Sequence, residues 1–452
     1  MHRAIYVLIW SLLLSMPVVA LGKQERLKPK TIEHAKKATV TIRTNVSMKA
    51  YGFVIPDFKE GGCIVDGKQG IILTTRRVVQ HASVSTYQVT FHNGEQAEAK
   101  LCYYDPWLDY AFLKVAPQAI PTSATALTLS AKDPLVNQPI FSISNNGGKS
   151  VSVHKGTISN IHNIIGSMPQ HTVNVSFETK QEAVGVPILN YSGAIVGLNY
   201  AGSETFGVSL HPAYIQHALK AIRKGKRPTR KHIGIVTDMY SLSDAVKYRN
   251  FPKKQLKAYV KRFPTSMGSA IEVVHVLKGT PAHGKLLPGD IIWAANKQPV
   301  GPDLVMLDMA MSQDKYRCVC LTIFRHGQQL EVNIPLYNLE DHTIRRMVSF
   351  GGALFFEADD VFSDKTGIAA GKLTFSSAQT SGMLSRIPSF KRGGTLYFLL
   401  DILAVEGKAL NNLDQLIQRI PELIKQRYFT LEYCTMLPMN DSLSPLFGQA
   451  LM

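Results

Sequence analysis

The sequence predicts a mainly β fold, on three observations. Short runs of alternating apolar and polar residues recur from about Thr31 to Ser209; 33 glycines and 23 prolines supply turns between them; and 45% hydrophobic content without a low-complexity tract fits globular domains. The 452 residues suit about three domains at ~150 residues each. In chain order the strand segments are Ala38–Thr44, Gly62–Val65, Gly70–Thr74, Tyr87–Phe91, Ala111–Lys114, Val151–Ile158, Val173–Phe177 and Ala194–Tyr200. Many short strands at close spacing argue for an all-β barrel or sandwich, and about 180 residues suit two barrels. A helix is expected over His211–Lys224, with Ile215, Leu219 and Ile222 at core spacing.

Pro228 and the basic run Lys220–Lys231 then mark a boundary, with the run itself read as a solvated connector. Beyond it, Pro288-Gly289 makes a tight turn that Asp290 caps, and Asp303–Met311 reads as a helix. After Glu340 come a helix with Leu413, Leu416, Ile417 and Ile420, and a strand over Tyr428–Tyr433. The chain ends on an apolar tail, Leu437–Met452, read as frayed, with docking in a neighbour's groove as the alternative.

The stretch Glu182-Ala183-Val184-Gly185-Val186-Pro187-Ile188, followed by Gly193-Ala194-Ile195-Val196-Gly197-Leu198-Asn199, resembles the nucleophile loop and following strand of the HtrA (DegP-like) trypsin-fold proteases. Leu73-Thr74-Thr75-Arg76-Arg77-Val78-Val79 is similar to that family's histidine segment, and Asp105-Pro106-Trp107-Leu108-Asp109-Tyr110-Ala111-Phe112-Leu113 to its aspartate segment. On this register Arg77 stands at the histidine, Asp109 at the aspartate and Val184 at the serine; Glu182 and Gly185 belong to the oxyanion loop. Valine has no hydroxyl to attack a carbonyl. A guanidinium stays protonated at neutral pH and accepts no proton. Glu182 puts negative charge where an anion should develop, and losing even one good donor there costs ~3 kcal/mol of barrier. Three substitutes fail on local grounds: His81 lies a turn beyond Arg77, Ser192 sits in a Ser-Gly turn, and Ser176 faces the polar side of its strand. With a cation in the histidine's space, an Arg77–Asp109 salt bridge bracing the two barrels is expected, the alternative being Arg77 turned to solvent and Asp109 bonded only to backbone amides.

Further along, His232-Ile233-Gly234-Ile235 resembles the carboxylate-binding loop that opens bacterial PDZ domains. Gly279-Thr280-Pro281-Ala282, Leu286-Leu287-Pro288-Gly289-Asp290-Ile291-Ile292 and Asn296 follow the pattern of the same domains. Ser349-Phe350-Gly351-Gly352-Ala353-Leu354-Phe355 and Asp401–Lys408 are similar to a second, eroded copy, in which Leu400 replaces the turn glycine. The resemblance therefore implies a trypsin-like double β-barrel over 31–225, PDZ-like α+β domains over 231–340 and 347–437, and a tail over 438–452. It makes Ile233, Gly234 and Ile235 the peptide-binding residues of the first PDZ-like domain.

Met1-His2-Arg3, an apolar run from Ala4 to Val19 and Ala20-Leu21-Gly22 read as a signal peptide over 1–22, an uncleaved anchor being the alternative. Export to a periplasm or the exterior follows. Five cysteines, Cys63, Cys102, Cys318, Cys320 and Cys434, are too few and odd for a disulfide framework and read as buried structural thiols. No metal-ligand spacing or cofactor motif is present. The net charge of +17 concentrates at Lys220–Lys231 and Lys247–Arg262 without a nucleic-acid fold motif. The second cluster is read as a solvated face, with contact to an anionic surface as the alternative. Together these features predict an exported pseudoprotease that binds unfolded or C-terminal polypeptide segments without hydrolysis, alone, as a homo-oligomer, or with active relatives. Its rivals are a serine endopeptidase with an unorthodox site and a structural envelope-associated protein.

Overall fold

Six strands, β1 (Thr39–Val46), β2 (Asp57–Asp66), β3 (Ile71–Thr74), β4 (Ser85–Thr90), β5 (Gln96–Tyr104) and β6 (Ala111–Val115), close a barrel in the order β1-β2-β3-β6-β5-β4. Six more, β7 (Pro139–Ser144), β8 (Ser152–Ile164), β9 (His171–Val175), β10 (Pro187–Asn190), β11 (Ile195–Gly202) and β12 (Gly207–Leu210), close a second in the order β10-β11-β12-β9-β8-β7. This computed structural model describes residues 26–46, 57–79, 85–144, 151–164, 171–177, 184–202, 206–312, 316–351, 353–366, 368–377, 400–426, 428–439 and 442–451. The expected signal peptide lies outside them. No helix among the described residues is long and apolar enough to cross a membrane.

Aliphatic side chains fill each barrel: Val40, Ile42, Ile64, Ile72 and Leu113 in the first, and Ile140, Ile158, Val173, Ile188 and Val196 in the second. A larger core lies between them, where Tyr103, Tyr110, Phe112, Phe141, Leu198 and Leu210 meet. Each such side chain contributes ~1.5–3 kcal/mol on burial, so this seam joins the halves. Two helices cover it. The first, α1 (Pro29–Ala38), starts with proline at its first turn and buries Ala35 and Ala38. A short helix, α2 (Arg76–Val79), follows β3. The closing helix, α3 (Pro212–Arg223), begins where His211 accepts the Ala213 amide, and buries Tyr214, Ile215, Ala218, Leu219 and Ile222 on one face.

The third unit contains β13 (Lys231–His232), β14 (Ile235–Ser241), α4 (Leu242–Tyr248), α5 (Lys253–Arg262), β15 (Ser269–Val276), β16 (Ile291–Ala295), β17 (Gln298–Pro299), α6 (Leu304–Ser312), β18 (Cys318–Arg325), β19 (Gln328–Pro335) and β20 (Tyr337–Asn338). Its sheet runs β14-β15-β16-β18-β19, with β17 on β16, while β13 pairs with β20. Asp303 accepts the Val305 amide at 2.8 Å and so starts α6, which packs Leu304, Leu307 and Met311 on the sheet. Asp290 caps the Pro288-Gly289 turn by accepting the Leu287 amide at 2.9 Å, and its carboxylate also holds Arg325 at 2.7 Å.

The fourth unit is built from β21 (Val348–Phe350), β22 (Ala353–Glu357), α7 (Asp360–Thr366), β23 (Leu373–Ser377), β24 (Leu400–Val405), β25 (Lys408–Ala409), α8 (Leu413–Leu423), β26 (Thr430–Met439) and β27 (Ser442–Leu451). The sequence treats the last residues as a frayed tail. They form instead the edge strand β27, paired with β26 from Thr430↔Leu451 to Met439↔Ser442. On α8, Leu413 and Leu416 are buried as expected and Ile420 packs beside them, but Ile417 is exposed.

The basic connector also differs from expectation. Arg223 pairs with Asp66 at 2.9 Å, Arg227 with Glu340, and Arg230 is buried against Asp308 at 2.8 Å. Three arginines of a supposedly solvated run thus pin the linker to three different elements. The thiols divide similarly: Cys63 is buried, while Cys102 and Cys318 are exposed free cysteines, and the Cys434 side chain lies outside the described residues.

Candidate functional site

The cleft of the double barrel is formed by β2, α2, the Asp105–Tyr110 loop and the turn before β10. Val184 is buried at 4% exposure, and its carbonyl accepts the Gly61 amide at 2.8 Å. Gly185 follows with φ +82°, a left-handed conformation that favours glycine; a Cβ there would sit 2.1 Å from the Gly61 carbonyl oxygen. Thr74 Oγ1 donates to that same carbonyl at 2.9 Å. The turn expected at the serine position is therefore pressed onto the β2 backbone, with an aliphatic side chain packed inward. Glu182 and His81 lie outside the described residues.

The ion pair made by Arg77, the residue expected at the histidine position, differs from the expected one. Nε of Arg77 lies 2.6 Å from Oε1 of Glu60, whose side chain is 2% exposed. Asp109 instead takes the backbone amides of Arg77 and Arg76. Those amides engage the aspartate, and the guanidinium pairs with Glu60 instead. Burial raises the Asp109 carboxyl above its ordinary range, against the pull of Arg76, those amides and Arg77. Glu60 is pushed up to about 7 by burial; Arg77 opposes the rise, Asp109 adds to it, and Thr75 Oγ1 donates to Oε2 at 3.4 Å. Sequence reading missed Glu60. Its one signal was a carboxylate just before Gly61-Gly62 and a buried apolar run.

A carboxyl poised near neutrality can take a proton, but the hydroxyl it touches, Thr75, is fully buried and reaches no substrate. Ser192 donates to Asn190 Oδ1 at 2.6 Å within its turn, and Ser176 Oγ accepts the Thr157 amide at 2.9 Å. A serine–histidine contact does occur elsewhere, between Ser123 Oγ and His92 Nε2 at 3.1 Å, but Nδ1 of His92 has no partner among the described residues. No carboxylate there fixes the imidazole tautomer, as a triad requires. Among the described residues no group of three His, Cys, Asp or Glu side chains could hold a metal ion.

Residues 61–198 match the trypsin-like peptidase domain family. Over 135 residues the chain is 37% identical to the uncharacterized protein RP187 of Rickettsia prowazekii, a span covering 30% of this chain and 70% of that protein. It is 27% identical over 441 residues to the pro-apoptotic serine protease NMA111 of Phaeosphaeria nodorum, which covers 89% of this chain. The chain spans 40% of that fungal protein's length. Residues 61–198 therefore carry a trypsin-like peptidase domain. A solved structure of the HtrA-type protease AlgW with tripeptide shares the fold at TM-score 0.50 and 19% identity, covering 68% of this chain and 96% of that one.

The loop expected to bind peptide carboxylates is turned inward. Ile233, Gly234 and Ile235 are all buried. The Gly234 amide donates to His232 Nδ1 at 3.1 Å, its carbonyl accepts the Leu277 amide at 2.9 Å, and the Ile233 carbonyl accepts the Ala282 amide at 3.0 Å. Gly234 has φ +86°, and any Cβ would strike the Thr280 side chain. The Trp107 ring of the barrel lies 5.0 Å from the His232 ring. Beside them is a cavity of about 30 Å³, lined by Trp107, Tyr214, Arg230, His232, Thr237 and Asp308. That volume admits a water or two, not a peptide residue. Burial and the Arg230 charge push His232 down to about 4, so it stays neutral and can accept the Gly234 amide.

Proposed function

We propose that the chain is an HtrA-like pseudoprotease that holds unfolded or C-terminal polypeptide segments without cleaving them, as a chaperone, scaffold or regulator. One observation carries this reading: Val184, at the position expected for the serine, is buried, and Arg77, at the position expected for the histidine, is paired with Glu60, so among the described residues the cleft offers neither nucleophile nor base there. Binding is the part of the family's chemistry that needs neither. The third and fourth units are PDZ-like in this reading, and the peptide carried by the AlgW structure supports recognition of polypeptides. Because the Ile233–Ile235 loop is closed by Trp107 and by its own hydrogen bonds, a peptide C-terminus gains access only when the third unit lifts from the barrels. The segment 1–22 supports a periplasmic or secreted location, where self-association or mixed assembly with active HtrA relatives would bring clients to a working protease.

Mixing the full chain with a chemically unfolded polypeptide tests the reading. Suppressed aggregation with the client recovered at full length is the expected result; fragments accumulating with time would reject it. The serine endopeptidase reading rests on the Ser123–His92 contact, and there the fragments would vanish in a Ser123→Ala variant.

A further inference from the structure

We propose that the α4–α5 segment of the third unit is a docking face for an anionic phospholipid surface. Helix α5 reads KKQLKAYVKR and carries no carboxylate. At about 100° per residue, Lys253, Lys257, Lys261 and Lys254 share one face, and all four are exposed. None of the four has an ion-pair partner among the described residues; Arg249, by contrast, is taken by Glu272 at 2.8 Å. The opposite face is fastened down. Tyr259 is buried, its hydroxyl donates to the Ser269 carbonyl at 2.7 Å, and its ring lies 5.2 Å from Trp293 and 5.0 Å from Phe263. Phe251 and Phe324 complete that aromatic cluster, which is separate from the main core of the unit. The cations therefore sit on a stiff platform rather than on a loose loop.

Apolar groups stand exposed beside the cations. Met267, just past α5, is 94% exposed and held at φ 51° in the left-handed region, which a methionine rarely adopts. The turn that holds it is fixed by Ser266 Oγ, which donates to the Phe263 carbonyl at 2.7 Å and accepts the Gly268 amide at 3.1 Å. Gly268 lies against Val260 and Leu256, which places Met267 next to the exposed Val260 of α5. Tyr248, at the end of α4, is also exposed, with Lys247 Nζ 4.7 Å from its ring centre. Lysines for headgroup charge, with a methionine, a valine and a tyrosine to enter the acyl boundary, match an interfacial surface. An acidic polypeptide or a polynucleotide would satisfy the charge and leave the exposed methionine without a role.

The test is co-sedimentation of the full chain with phosphatidylcholine vesicles, with and without phosphatidylglycerol. Binding should require phosphatidylglycerol, weaken with salt, and fall roughly tenfold or more in a K253E/K257E/K261E variant of unchanged circular dichroism. A Met267→Asp variant should weaken it several-fold. Equal binding to neutral vesicles, or an unaltered triple variant, overturns the assignment. So does an unaltered Met267→Asp variant with full displacement by polyglutamate, which would mark an acidic polypeptide as the ligand.

Discussion

Replacing Arg230 with alanine should cost about 3–5 kcal/mol and free the third unit from the barrels, because it strips a buried carboxylate of its partner. Asp308 on α6 holds the guanidinium at 2.8 Å, and Asp105 in the barrel loop lies 3.7 Å from its Nε. Burial works against the charge of Arg230, yet Asp105 and Asp308 keep its pKa above the ordinary range; burial pushes Asp308 up to about 6 even with the arginine present. Asp105 is otherwise well served, accepting the Trp107 and Leu108 amides at 2.9 and 2.7 Å and the Tyr110 hydroxyl at 2.9 Å. The loss therefore falls mainly on Asp308. Denaturant unfolding should show the drop, and proteolysis should begin in the linker between α3 and β13. A double variant, Arg230→Met with Asp308→Leu, should recover most of the stability, since an apolar pair of similar volume leaves no charge stranded. A single-variant cost below about 1 kcal/mol would mean that the pair is solvated and that no lock exists.

Glu60→Gln should flatten the dependence of stability on pH. The Glu60 carboxyl rises from 4.5 to about 7 on folding. A raised carboxyl pKa favours the fold fully below 4.5, and that contribution disappears as pH climbs through 7. The swing is about 3 kcal/mol at ~1.4 kcal/mol per pKa unit. Arg77, Asp109 and Thr75 face the group and remain in the variant. At pH near 8 the variant should thus be about 2–3 kcal/mol more stable than the parent, and near pH 4 the two should coincide. Burial likewise raises Asp109 and Asp308, whereas His232 is lowered and works in the opposite sense, so the difference between variant and parent isolates Glu60. Parallel profiles would show that Glu60 is ionised and solvated in the fold.

The barrels were legible where strands alternate strongly or carry β-branched residues, as in β1, β3, β6 and β11. Three strands were not. In β5 the inward positions include Ala97 and Ala99, too small to stand out as a hydrophobic face, and β7 and β10 are short segments buried along nearly their whole length, which leaves no alternation. Helix α3 was readable because its cap, its proline and its apolar stripe agree. In the site, the spacing of Arg77, Asp109 and Val184 was visible in sequence, but the partner of Arg77 was not. Glu60 is far from Arg77 in the chain, and only the closing of β2 beside α2 brings them together. Arg230 was hidden for a similar reason. A basic linker looks solvated until α6 and the Asp105 loop supply two carboxylates around one of its members.

The central claim is that this cleft has lost acyl-transfer chemistry, and covalent capture tests it most directly. Intact-mass measurement after exposure to a fluorophosphonate probe should find the folded chain unmodified, while its heat-denatured form serves as the background. A single adduct formed only by the folded protein and mapped to one serine, Ser123 included, would contradict the account.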